Sequence, residues 1–375
     1  MKKISKFKVE TSILILMLLM AIISIITISS AESMLPAYMS GVAMRQVMWY
    51  IIGFIVAFGI MFIGNDFIYR HSIFLYVITV ISLLVLLFVG PTINNAVRWY
   101  VIPGIGNIQP SEFMKIILII ILAKMIKDYN ENKDGSIEEE FKFLLKVILV
   151  VFIPSILTFI QPDTGMVFIY LVITATMLFV GGIRYRWFAL AIALFLLSIG
   201  FVLLIYFISN DLFINIFGTD FFLRVDRLLD WRTSTGFQVE NSLSAIGTGG
   251  LFGNGFGSHR VYFPEPHTDF IFAVYAGNFG LIGALLLLSI IALFDIRLIN
   301  IANKTNNHIN KYVISGIIGM LVYQQIQNIG MTMGLLPITG ITLPFISYGG
   351  SSLISYMIVA GIFFNISNES MRFTN

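Results

Sequence analysis

Cysteine is absent from this 375-residue chain. That absence excludes a disulfide framework, a thiol nucleophile and a thiolate metal centre. Charge is scarce as well: Asp, Glu, Lys and Arg make up 11% of the residues against 58% hydrophobic ones, where a soluble globular domain carries about 25% charged residues. A soluble fold is excluded on that ground. The net charge of +3 is too small and too dispersed for a nucleic-acid-binding surface. The histidines, His71, His259, His267 and His308, are scattered. The chain has no HExxH box, GxSxG elbow or Walker loop. It also lacks a solenoid-length repeat and the paired, interrupted helices that mark many secondary transporters.

What is present is a succession of apolar runs of roughly 17 to 25 residues, the length a helix needs to cross a ~30 Å hydrocarbon core. Ten runs are centred near Leu18, Phe54, Ile81, Ile119, Val150, Ile173, Phe195, Leu285, Gly319 and Val359. The expected fold is therefore all-α, a polytopic membrane protein with ten transmembrane helices. Lys2, Lys3, Lys6 and Lys8 ahead of Ile13 to Ile28 resemble a signal sequence, but the run is long and others follow, so an uncleaved first helix is expected. Most of the 23 Lys and Arg fall on the side of the N-terminus, which by the positive-inside rule places both termini in the cytoplasm. The chain reads as a single membrane domain over 1–375, with a cytoplasmic loop at about 124–146 and a large extracellular loop at about 210–269 between the seventh and eighth helices.

Polar groups near a bilayer are costly and are candidates for function. Four clusters qualify, all on the outer side. In the first, Gln109-Pro110-Ser111-Glu112 has the form of a helix start with an acid in its first turn. Arg98 precedes it, and Lys115 lies three residues beyond Glu112, either as a phosphate ligand in an outer cavity or snorkelling to the headgroups. The second, Gln161-Pro162-Asp163-Thr164-Gly165, is a helix cap made by Asp163 or Thr164, or a contact to a cation or substrate. The third holds Arg227, the glycines between Gly247 and Gly257, Arg260, His267 and Asp269. Its glycines either permit tight turns or form anion nests. Asp269 is either a helix cap or a carboxylate whose pKa rises at the edge of a low-dielectric medium, as suits a general base. The fourth, Gly334 to Ser352, is rich in Gly, Pro and hydroxyls and reads as an irregular re-entrant segment, with Ser351 or Ser352 capping the last helix. Together the clusters suit an anionic, lipid-linked substrate.

Taken in order, Arg98-Trp99, Gln109-Pro110-Ser111-Glu112, Gln161-Pro162-Asp163, the string HTDF at 267–270 and the string LPFISYGGSS at 343–352 resemble the SEDS family of bacterial cell-wall proteins (RodA, FtsW, SpoVE), across nearly the whole chain. The resemblance implies a peptidoglycan glycosyltransferase of the cytoplasmic membrane. Such an enzyme polymerises lipid II at the outer face for elongation or division, with undecaprenyl pyrophosphate leaving and configuration inverted. It implies a class B penicillin-binding protein as partner, other cell-wall proteins around it, a divalent cation (Mg or Mn) and no organic cofactor. The family's essential acid falls on Asp269, and its substrate-binding positions on Arg98, Gln109, Glu112, Lys115, Arg227 and His267; the metal ligands stay unassigned. A lipid II flippase and a non-catalytic scaffold are the alternatives. The chain departs from the pattern at Gly277-Asn278, where most members carry a Glu pair, and at Leu229-Asp230-Trp231-Arg232. Asn328 to Met331 with Leu336 to Gly340 resembles the RodA branch of Gram-positive bacteria.

Overall fold

The computed structural model describes residues 9–93, 96–102, 106–229, 236–258 and 261–373. Its helices are α1 (Thr11–Ala31), α2 (Val42–Ile63), the short α3 (Asn65–Arg70) and α4 (Ser72–Val89). A hairpin of β1 (Tyr100–Ile102) and β2 (Gly106–Ile108), antiparallel with Val101 opposite Asn107, leads into α5 (Pro110–Asn132). Then come α6 (Ile137–Ile160), α7 (Thr164–Val180), α8 (Tyr185–Ile208), α9 (Asn210–Phe217), α10 (Thr219–Leu229), α11 (Gly236–Gly249), α12 (Ile271–Lys304), α13 (His308–Thr332) and α14 (Gly350–Phe373). Each of the ten expected centres falls in a separate helix, and among the described residues seven helices are long and apolar enough to cross a membrane. The other three centres lie in α5, α7 and α13. Here α5 carries the buried Glu112 and Lys115, α7 is 17 residues long, and α13 buries Gln324, Gln325, Gln327 and Asn328.

These polar helices are central because the bundle, not lipid, surrounds them. α13 packs on α5 and α7, α14 on α2, and α12 on α1 and α13. Each amide of α13 has a partner: Gln324 Nε2 donates to Tyr356 Oη, Gln325 to Asp295, Gln327 to the Pro337 carbonyl and Asn328 to the Asp269 and Ile341 carbonyls. α8 is the opposite case, with Ile205 its one buried side chain.

Both loop boundaries need correction. The cytoplasmic loop expected at about 124–146 narrows to 133–136, because α5 runs to Asn132 and Ser136 Oγ caps α6 by accepting from Glu139 N at 3.1 Å. Three glutamates in the first turn of α6 suit the positive end of its dipole. The segment at about 210–269, expected as one large loop, holds three helices among its described residues, α9 to α11. Phe213, Phe217, Phe221 and Phe222 gather around Tyr206 of α8 in a small separate core.

The loop glycines make turns for a specific purpose. α12 is broken at Gly280, whose φ of 65° leaves neighbouring backbone groups without helical partners. The 250–255 stretch supplies them: Asn254 N and Gly255 N donate to the Gly277 and Asn278 carbonyls, while Leu281 N and Ile282 N donate to the Gly250 and Leu251 carbonyls. A Cβ on Gly253 would stand 2.0 Å from the Asn278 carbonyl oxygen, at a φ of 86°. Asn278 itself donates to Ser30 Oγ at 2.6 Å, tying α12 to α1. Gly253→Ala is accordingly expected to lower stability by more than about 2 kcal/mol. Gly247→Ala, at a site with open space, is expected to stay within about 0.5 kcal/mol. Thermal melting of the two proteins in detergent checks this.

Residues 333–349 are the irregular segment foreseen from Pro and Gly content. Its carbonyls inside the bundle are taken up by side chains: Pro337 by Gln327, Ile341 by Asn328, Phe345 by Tyr50, Ile346 by Ser24 (2.7 Å) and Ser347 by Gln46 (3.3 Å). Non-helical backbone survives at membrane depth only with such internal partners. α14 starts at Gly350, and Ser351 does not cap it. The Ser351 hydroxyl instead donates to the Asn107 carbonyl at 2.8 Å and accepts from Gln109 N at 3.0 Å, joining the hairpin to α14.

Candidate active site

Asp269 ends a turn, 264–270, that closes on Glu265. The Thr268 and Phe270 amides both donate to the Glu265 carbonyl, and Thr268 Oγ1 donates to the Glu265 carboxylate at 2.9 Å. Three consecutive carbonyls anchor the turn to the bundle: His267 accepts from Tyr348 N (2.9 Å), Thr268 from Ser347 Oγ (2.7 Å) and Asp269 from Asn328 Nδ2 (3.0 Å). The cap residue of α12 is Phe270, with no side-chain cap bond. The Asp269 carboxylate is therefore not consumed in capping, and its Oδ2 faces Gly340, 3.8 Å from where a Cβ would stand. Burial pushes its pKa from 3.8 up to about 7, with Glu265 adding to the rise and Arg98 opposing it.

His267 is buried, with its ring 5.3 Å from Tyr348 and its Nδ1 without a hydrogen-bond partner. Burial lowers its pKa, against Glu265 and with Arg45, so the imidazole is neutral at pH 7.

Across from this turn stand the β-hairpin, the start of α5 and the start of α7. The Arg98 guanidinium donates to the Pro162 carbonyl and is near enough to both Asp163 and Asp269 to favour their ionised forms. Asp163 caps α7, accepting from Met166 N at 3.4 Å, and its other oxygen accepts from Gln109 Nε2 at 2.8 Å. Burial raises its pKa, and Arg98 counters. The bare Cα of Gly165 lets the start of α7 pack against the Thr339 carbonyl, since a Cβ there would come within 2.9 Å of that oxygen. Arg98, Gln109, Asp163 and Asp269 thus belong to one assembly.

Glu112 and Lys115 form an ion pair directed into the protein. Lys115 is 0% exposed and Glu112 5%. The ammonium also lies 4.3 Å from the centre of the Tyr356 ring, and Ser355 Oγ donates to Glu112 at 3.2 Å. The pair therefore joins α5 to α14 behind Gln109. Arg227 lies on α10, but its side chain falls outside the described residues, as does all of Arg260. Asn328, Ser347 and Tyr356 are site-forming residues that pattern reading did not single out. The available signal was four amides within one turn and a half of an otherwise apolar helix, at 324–328.

Chemically, the assembly offers one carboxylate whose pKa burial raises toward neutrality, within electrostatic reach of a guanidinium. That pairing suits proton abstraction from a hydroxyl with an anionic group nearby. Among the described residues no group of three His, Asp or Glu side chains is placed to hold a metal ion.

A family model described as cell cycle protein, covering FtsW, RodA and SpoVE, matches residues 10–372. Stage V sporulation protein E of Bacillus subtilis is 35% identical over 96% of this chain and 96% of its own. A probable peptidoglycan glycosyltransferase FtsW of Coxiella burnetii is 34% identical over 80% of this chain and 79% of its own. Among solved structures, one of a peptidoglycan synthase complex that coordinates polymerization and crosslinking superposes with a TM-score of 0.79 at 25% identity, covering 97% of this chain and 99% of that one. The rod shape determining protein RodA of Thermus thermophilus superposes with a TM-score of 0.70 at 25% identity, covering 96% and 97%.

Proposed function

The chain belongs to the FtsW/RodA/SpoVE family, as a multi-pass membrane peptidoglycan glycosyltransferase, and from that premise we propose that it polymerises lipid II at the outer face of the cytoplasmic membrane, with both termini inside. Asp269 takes the proton from the acceptor sugar hydroxyl as that oxygen attacks the anomeric carbon of the growing strand. The bond from that carbon to undecaprenyl pyrophosphate breaks, and attack from the opposite face inverts configuration. Arg98, across the site from Asp269, takes the charge that develops on the leaving group. Gln109 and Asp163 are bonded to each other near Arg98, and the His267 ring packs against Tyr348. The observation that carries the reading is the Asp269 carboxylate on the HTDF turn, left out of capping and facing Gly340, with burial raising its pKa to about 7 and the Arg98 charge acting on it from the opposite side of the site.

The described carboxylates do not form a ready cage for a resident ion, since Glu112 is paired with Lys115 and Asp163 is bonded to Gln109. A divalent ion, Mg or Mn, belongs in this scheme to the pyrophosphate of the substrate, whose charge it neutralises. The partner is a class B penicillin-binding protein that crosslinks the product, in line with the coupled polymerization and crosslinking of the related synthase complex.

The test is glycan polymerisation by purified protein on lipid II with a divalent cation, with and without the partner. Polymer from the wild type and none from folded Asp269→Asn is the expected result. No polymer from the wild type with partner and cation present would overturn the reading and favour transport or scaffolding.

A further inference from the structure

The turn that carries Asp269 and the backbone that its carboxylate faces belong to different parts of the chain, and one side chain holds both. Asn328 of α13 is 0% exposed. Its Nδ2 donates to the Asp269 carbonyl at 3.0 Å and to the Ile341 carbonyl at 2.8 Å. Ile341 follows Gly340, the residue opposite Asp269 Oδ2. Both partners are carbonyl oxygens, so only the NH₂ end of the amide can serve, and its orientation is determined. The Oδ1 atom is buried without a partner. A leucine would fill a similar volume without burying a bare acceptor, so packing alone does not call for an amide here.

We infer that Asn328 is a positioning residue for the transfer reaction, setting the separation of the Asp269 carboxylate from the Gly340 wall through its two hydrogen bonds. The inference rests on Asp269 being the general base. Ser347 and Tyr348 hold the two preceding carbonyls, but they do so from the same irregular segment. Asn328 is the described side chain that ties that segment and the turn together to a helix. Without it the turn is free to move by the ångström or so that costs about 10²-fold when a reacting group is displaced, and water gains access to the carboxylate.

The test compares Asn328→Leu with Gln327→Leu in the full chain with its transpeptidase partner, recording kcat, KM and the pH profile of polymerisation. Gln327 ties α13 to the same segment at Pro337, 2.8 Å away, without reaching the turn. For Asn328→Leu the expected result is a fall in kcat of roughly 10- to 100-fold, KM within about threefold, and an acid limb displaced to lower pH as the carboxylate rehydrates. For Gln327→Leu the limb stays in place. An Asn328→Leu protein with the wild-type acid limb, or with kcat within about twofold, overturns the inference. Asp269→Asn is run alongside. Activity in that variant defeats the general-base premise, whereas loss there with a wild-type profile in Asn328→Leu defeats the positioning role alone. Should Asn328→Leu not accumulate folded, Asn328→Ser, which admits a water as substitute donor, is judged by the same criteria.

Discussion

Asp269→Asn is expected to lower glycan polymerisation by about 10²- to 10⁴-fold, the usual worth of a positioned general base, while the protein melts at no lower a temperature, since a carboxylate whose pKa burial raises costs stability when ionised. Stability should hold because the hydrogen bonds of the turn are made by the Asp269 backbone carbonyl and not by its carboxylate. The pH dependence of the wild type follows from the same group. A base acts only when deprotonated, and the pKa of about 7 places the loss of activity below neutrality. The value of kcat/KM should therefore fall about tenfold per pH unit on the acid side. Glu265→Gln removes a negative charge that raises this pKa, so its acid limb should move to lower pH. An Asp269→Asn protein of near-wild-type rate would remove Asp269 from the reaction, whereas a profile flat down to pH 5 would mean that the carboxylate is less desolvated than its burial implies.

The second large effect concerns the buried pair. Removing one partner of an ion pair held out of water leaves an uncompensated charge, a change worth about 3 to 5 kcal/mol. Lys115→Met should destabilise the protein by that amount, since Glu112 would keep only Ser355 as a neutral donor. The double replacement Lys115→Met, Glu112→Leu should recover most of the loss, because apolar groups of similar volume can replace a buried pair at little cost. Melting of the two singles and the double gives the coupling directly. Polymerisation by the double variant separates two roles for Lys115. Recovery together with stability means the lysine works by holding α5 against α14. A folded, inactive double variant means that one of the two charges acts on the substrate, and a charge-retaining Lys115→Arg tested alone then separates the ammonium from Glu112.

Several features were legible residue by residue. The helix start at Pro110, with Glu112 in its first turn, and the Asp163 cap of α7 follow from local chemistry, since a cap satisfies amides two or three positions away. The non-helical character of 333–349 was legible from its prolines and glycines. Ser351 was misread as a cap because its partners, Asn107 and Gln109, lie more than 240 residues earlier. The loop at about 124–146 was misread because charged residues continue a helix into water as readily as they form a loop. The glycines at 249–255 had two readings from sequence alone, and the break at Gly280 decides between them by presenting unpaired backbone that the chain can approach only with glycine at 249 and 253.

The sequence by itself determined the membrane class, the ten helix centres and the residue types gathered near the helix ends, because hydropathy and capping are sums over neighbours along the chain. Tertiary structure alone decided which of those groups meet. It joined Asp269 to Asn328 and Gly340, paired Lys115 inward with Glu112 and Tyr356, and placed Arg98 between two acids. These contacts arise where irregular backbone must find donors inside the bundle. Which distant side chain supplies them depends on how the helices pack, and no local pattern encodes that.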